Sequence, residues 1–250
     1  MEVHHHPDLH HRRKKWKEYF LEFLMIFLAV TLGFFAETIR EKISEKHREK
    51  DYIIGLINNV QNDTSDLKGL INRNDLELRG IDSLMKISKN NFLNIPIQDS
   101  IFYYGLCYTF NLHLFEFNDL TLVQLRNAGG YSLIKTSRVA DSIALYESKN
   151  NDIKVQERFV IDYYTQTMAS FRQILDCTLT SKFFQEYEAK NRIPSDLNVL
   201  ISNDKEKMYL LYNNYWTYKG TLGGYNIQLK EHLEYLMGFI KFLKRNYDIE

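Results

Sequence analysis

The pattern of apolar and polar positions along this chain falls into three regimes. Between Tyr19 and Ala36 nearly every position is apolar and Glu22 is the one charge, so there is no polar face for water to wet. From Glu37 to Asp51 the pattern inverts into closely spaced charges of both signs. From Tyr52 onward apolar residues recur every three or four positions, the spacing that gathers them on one side of an α-helix. The pattern predicts an all-α chain in four parts: a tail (1–18), a transmembrane helix (19–36), a charged helical stalk (37–51) and a helical bundle (52–250).

The apolar run has the length a bilayer asks for. Its 18 residues, at about 1.5 Å each, reach roughly 27 Å, close to the thickness of the hydrocarbon layer. A cleaved signal peptide would end in small residues and then change character. Here the run passes without a breaker into ETIREKISEKHREKD. A buried core helix fits poorly with the preceding HHRRKKWK, because a basic cluster beside Trp16 and Tyr19 suits the headgroup boundary. Five Lys/Arg lie in residues 1–18 and five in 37–51, so counting alone does not orient the span. The first five sit within six positions, whereas the second five alternate with Glu37, Glu41, Glu45, Glu49 and Asp51. The expected topology therefore has the N-terminus in the cytoplasm and the bulk of the chain on the far side.

Inside the span, Glu22, Ile26, Ala29, Gly33 and Ala36 share one helix face. Ala29 and Gly33 form a small-xxx-small pair, which lets two helix backbones approach closely in lipid. A carboxylate near a bilayer faces protein, water or the interface rather than acyl chains. The two readings of Glu22 are a marker of a self-association face and a side chain that reaches back to the headgroups and Arg12–Lys17.

Beyond the span, Glu37/Arg40, Glu45/Arg48 and Lys46/Glu49 pair at i,i+3 in the stalk. A long helix follows, carried by Ile53, Ile57, Val60, Thr64, Leu67, Ile71, Asn74, Leu78, Ile81 and Met85. Its glycines and the interior Asn74 argue for one member of an antiparallel bundle over a coiled coil. NNFLNIPIQDS ends it, with Asp99 or Ser100 expected to cap the next helix, IFYYGLCYTF. NLHLFEF reads as either helix or strand; a short helix then stops at Gly129-Gly130. Residues from Ser137 to about Tyr187 read as helix, loosened at Asn150-Asn151, and NRIPSDLNVLIS breaks it with Ser195 placed to cap after Pro194. The last stretch reads as a helical hairpin turning at Gly220 to Gly224.

Composition changes this picture little. Lys+Arg and Asp+Glu both number 32, which gives no electrostatic case for nucleic acid. The cysteines, Cys107 and Cys177, lie in no metal-ligand spacing, and their separation does not decide whether they pair. The tail MEVHHHPDLHH holds five of eight histidines, a composition that imidazole metal sites share with disordered tails. No nucleotide-binding, nucleophile-elbow, zinc-protease or EF-hand spacing occurs, so no catalytic or cofactor residues are assigned. His113 and His232 stand alone in the sequence; Asp63, Asp66 and Asp75 share a helix without matching histidines. Tyr209, Tyr212, Tyr215, Trp216 and Tyr218 are placed either to pack or to line a ligand pocket.

The stretches MEVHHHP, FLMIFLAVTLGFFAE, REKDYIIGLINNVQND and TLVQLRNAGGYSLI resemble a family of uncharacterised bacterial single-pass membrane proteins, a domain of unknown function with a Met-Glu-Val-His-His-His start. The resemblance implies a one-pass bacterial membrane protein with a native histidine tail and brings no site residues; together with the topology expected from the charges, it places the protein in the bacterial inner membrane with a periplasmic C-terminal domain. The expected function is a non-enzymatic, membrane-anchored scaffold or assembly subunit that needs no cofactor. Its expected partners are the lipid bilayer, a second copy of itself and a protein not identifiable from sequence. The second expectation is an extracytoplasmic sensory or ligand-binding module.

Overall fold

A computed structural model describes residues 15–127 and 129–249. The histidine tail, with Arg12, Arg13 and Lys14, lies outside the described residues. The chain divides into two compact units, Met1–Asp51 and Tyr52–Glu250. Among the described residues six α-helices form: α1 (Trp16–Lys86), α2 (Ile95–Thr109), α3 (Leu120–Asn127), α4 (Ser137–Arg172), α5 (Thr180–Lys190) and α6 (Lys205–Tyr247). Among the described residues no strand forms beyond an isolated antiparallel bridge between Leu175 and Leu200. The all-α reading is correct, including a long apolar N-terminal helix followed by a helical domain.

In the first unit α1 is a bare rod. Phe20, Phe23, Met25, Ile26, Phe27, Val30, Leu32, Phe34 and Phe35 are all exposed around its circumference. Thr31 and Thr38 return their hydroxyls to the carbonyls of Phe27 (2.7 Å) and Phe34 (2.9 Å), so neither carries a dangling donor along the rod. Just after the apolar run the expected Glu37/Arg40 ion pair forms.

In the second unit, residues 52–86 of α1 and α4 run the same way and α6 runs against both. Asp82 pairs with Lys219, and Asp75 with Asn226 (2.7 Å) and Lys230 (3.1 Å), which fixes α1 against α6. Tyr146 of α4 stacks on Phe239 of α6 at 5.1 Å between ring centres, and Glu157 meets Tyr225. The core is continuous through Ile53, Val60, Leu67 and Ile81 of α1, Val139, Ile143 and Val160 of α4, and Leu211, Leu222, Leu229 and Leu236 of α6. Each such side chain contributes about 1.5–3 kcal/mol on burial. At the other end α5 seats Phe183 edge-on against Phe102 of α2 at 5.1 Å.

Several boundaries differ from those the sequence suggests. α6 is one helix without a hairpin at Gly220–Gly224, because the buried positions Tyr218, Leu222, Tyr225 and Leu229 keep helical step through the glycines. Packing of that stripe outweighs about 1 kcal/mol of lost propensity per glycine. α2 begins four residues before Asp99; Asn94 is its N-cap, and Pro96 sits in the first turn where its missing N–H costs nothing. α4 runs unbroken through Asn150-Asn151 and ends at Arg172. Ser195 caps no helix; Asp204 caps α6 by accepting from the Glu206 N–H (2.8 Å). NLHLFEF is a connector that is neither helix nor strand.

Candidate functional site

The sequence singles out the face Glu22, Ile26, Ala29, Gly33 and Ala36, and each of these residues is exposed on α1. A Cβ added at Gly33 would meet nothing within 4 Å. In one chain, then, the face is exposed, and at Gly33 nothing lies against it. Of the aromatic run on α6, Tyr212, Tyr215 and Tyr218 are buried, while Tyr209 and Trp216 point outward, so the run packs rather than lining one pocket. Cys107 and Cys177 are both free thiols, the first exposed.

The chemistry that the sequence conceals lies in the core of the second unit. Among its described residues four carboxyl groups are buried: Asp63, Glu77, Asp99 and Glu157. Three of them hold backbone. Asp63 accepts from the Asn118 N–H (3.0 Å) and lies 3.4 Å from the Tyr146 hydroxyl. Glu157 accepts from the Phe115 N–H (3.0 Å) and the Tyr225 hydroxyl (2.6 Å). Asp99 accepts from the Leu197 N–H (3.3 Å). These are the donors that connectors leave unpaired when no neighbouring strand receives them. Asn59 completes the clamp on the first segment, donating to the Asn118 carbonyl (3.2 Å) and side-chain oxygen (2.8 Å).

Glu77 is different. It is 5% exposed, it holds no backbone group, and its hydrogen bond comes from the Tyr218 hydroxyl at 2.6 Å. No ion pair among the described residues includes it. Burial without a counter-charge pushes its carboxyl up to about 7, only partly offset by the Tyr218 hydrogen bond. Burial likewise raises Asp63 and Asp99 to about 6.

Glu77 also lines a pocket of about 200 Å³, together with Arg73 and Leu76 of α1, Cys107 and Tyr108 of α2, and Asn111 and His113 beyond it. Three contacts set the wall. Gly80 lies directly under Tyr108, where an added Cβ would fall 2.1 Å from the ring's Cγ. The end of α2 is tied down by the Tyr164 hydroxyl on the Phe110 carbonyl (2.6 Å) and by the Thr109–Tyr215 hydroxyl pair (3.1 Å). Burial raises the Cys107 thiol, so it is not an activated nucleophile.

A second, open groove of about 460 Å³ runs between α4 and α6, walled by Lys149, Asp152, Gln156, Gln228 and His232. His232 is buried against the Phe117 ring (5.5 Å), and burial, with Lys149 nearby, drives it down to about 4. Its Nε2 has no partner. It behaves as a neutral core histidine. Among the described residues no group of three His, Cys, Asp or Glu side chains is placed to hold a metal ion. Comparison with protein-family models, with curated proteins and with solved structures finds no match to this chain.

Proposed function

We propose that this protein is a non-enzymatic, membrane-anchored helical scaffold or assembly subunit that self-associates within a bacterial inner membrane. One observation carries the reading. Among the described residues α1 is the one helix long and apolar enough to cross a membrane, and none of its apolar window is buried. A core helix would hide those side chains in its own protein, so an exposed rod of this composition calls for lipid. The N-terminus lies in the cytoplasm and residues 52–250 outside it, with residues 37–51 as the stalk. The face Glu22, Ile26, Ala29, Gly33 and Ala36 meets a second copy, and Gly33 is the close-approach point because nothing in the chain fills its surroundings. The likeness of the four quoted stretches to bacterial single-pass proteins supports the same placement.

Two measurements test this. Alkaline carbonate washing of membranes should leave the full-length protein in the pellet; release into the supernatant would end the anchoring proposal. In detergent, Gly33→Leu should shift the wild-type oligomer to a smaller species by light scattering, and an unchanged size would remove the association face.

A further inference from the structure

Of the four buried carboxyl groups of the second unit, three hold connector backbone and Glu77 does not. It combines a buried acid, a single hydroxyl partner, no ion pair among the described residues and a place in the wall of an accessible pocket. We propose that this pocket binds a small organic ammonium ion, a primary amine in its charged form, with the Glu77 carboxylate as its counter-charge.

The surroundings bear this out group by group. On α1, Arg73 also lines the pocket, but its guanidinium reaches back to within 3.7 Å of the position a Gly69 Cβ would take, about two turns before Glu77. On α2, burial raises the Cys107 thiol, and Tyr108 stands next to it in the wall; Asn111, whose amide oxygen can accept, and His113 follow in the connector beyond the helix. From α4 and α6 come the hydroxyls of Tyr164 and Tyr218, both held protonated by burial. The chain thus surrounds a buried carboxyl with dipoles and rings and leaves its charge unmatched, and a desolvated ammonium supplies that charge and up to three donors. A volume of about 200 Å³ falls below that of drug-sized sites, which limits the ligand to a few heavy atoms beyond the nitrogen. Binding ionises Glu77 and releases its proton, so affinity weakens as pH falls below 7 and is level above it. This activity goes beyond anchoring and self-association and does not depend on them.

The test uses the full-length protein in detergent with propylammonium chloride as probe. Calorimetry should give saturable binding at pH 8, with affinity falling by about tenfold per unit between pH 6.5 and 5. Propan-1-ol, the same size without the charge, should not bind. Occupancy should slow iodoacetamide alkylation of Cys107 several-fold at pH 8 while leaving Cys177 unchanged, a readout on the wild-type chain that needs no variant. Glu77→Gln should weaken binding at least about tenfold, the loss of one charge-assisted contact. Nα-acetyl-lysine amide, which carries the same ammonium on a peptide unit, should bind at least about tenfold more weakly, since the ligand is limited by pocket volume. The proposal is overturned by equal binding of propan-1-ol, by unprotected Cys107 at saturation, or by pH-independent affinity. Equal affinity for the lysine derivative would overturn the assignment to a free small amine.

Discussion

The buried Glu77 carboxyl makes a quantitative prediction about stability in the absence of any ligand. The folded protein holds its proton up to about pH 7, whereas an exposed glutamate releases it near 4.5. Across that window the folded state binds more protons than the unfolded chain, so stability declines as pH rises. The contribution is fully present below about pH 4.5, is lost progressively toward 7 and stays lost above it. A gap of about 2.5 pH units, at about 1.4 kcal/mol per unit, amounts to roughly 3–4 kcal/mol. For a domain of this size that corresponds to roughly 6–16 °C in melting temperature.

Glu77→Gln isolates the effect. The amide oxygen can still accept from the Tyr218 hydroxyl, which now donates to Glu77 Oε1, but the side chain no longer titrates. Asp63 and Asp99, whose carboxyls are also raised, push stability in the same direction and cancel in the difference between the two proteins. Thermal melts of both, followed by near-ultraviolet circular dichroism in detergent from pH 5 to 8, should cross or converge. The wild type gains on the variant at pH 5 and loses that advantage by pH 8. Parallel curves, displaced by a constant amount, would mean that Glu77 ionises in the folded protein as it does in water, and would refute the argument.

Other consequences follow from close packing and from the carboxyl clamps. Gly80→Ala should destabilise by about 1–3 kcal/mol by chemical denaturation, because the new methyl meets the root of the Tyr108 side chain, which cannot swing aside cheaply. Gly220→Ala on α6, where a Cβ meets nothing, should instead stabilise by about 0.5–1 kcal/mol. Asp63→Ala strips the Asn118 N–H and the Tyr146 hydroxyl of their acceptor, should cost about 2–4 kcal/mol, and should speed hydrogen exchange at 112–119 more than in α6. Intact mass after alkylation of the unreduced, denatured protein should report two modified thiols, Cys107 and Cys177; no modification would reveal a disulfide.

The helices were legible because their apolar residues keep a helical step, and the stripe from Ile53 to Ile81 is buried much as the pattern requires. α1 nevertheless buries a second stripe beside it: Leu56, Asp63, Leu70, Glu77 and Leu84, at steps of seven. Two of its five members are acids, and an acid on a helix reads as a water-facing position unless its partner is known. Those partners lie far off in sequence, Asn118 and Tyr146 for Asp63 and Tyr218 for Glu77, so local pattern contains no hint of them. Leu56, Leu70 and Leu84, fourteen residues apart with an acid midway between each pair, were the available signal. Gly220 to Gly224 misled in the opposite sense. Clustered glycines favour a turn locally, but the buried tyrosines and leucines on both sides stay in phase, and tertiary packing settles the matter.

The unusual acid content of this core has a common physical origin. A bundle of long helices must bring the chain back across its ends, and here two of the returns, around Phe115–Asn118 and around Leu197, lie against the helices without a sheet to pair their amides. A buried amide left without an acceptor costs about 1–3 kcal/mol, and a carboxyl placed on the neighbouring helix removes that cost with a charge-assisted bond. The tyrosines bonded to the same groups satisfy a second lone pair while adding apolar area to the core. This account explains Asp63, Glu157 and Asp99 from folding alone. It gives no reason for Glu77, whose replacement by leucine and of Tyr218 by phenylalanine would leave no backbone donor unpaired. A buried acid that the fold does not require, set in the wall of a pocket, is therefore better explained by what enters the pocket than by what surrounds it.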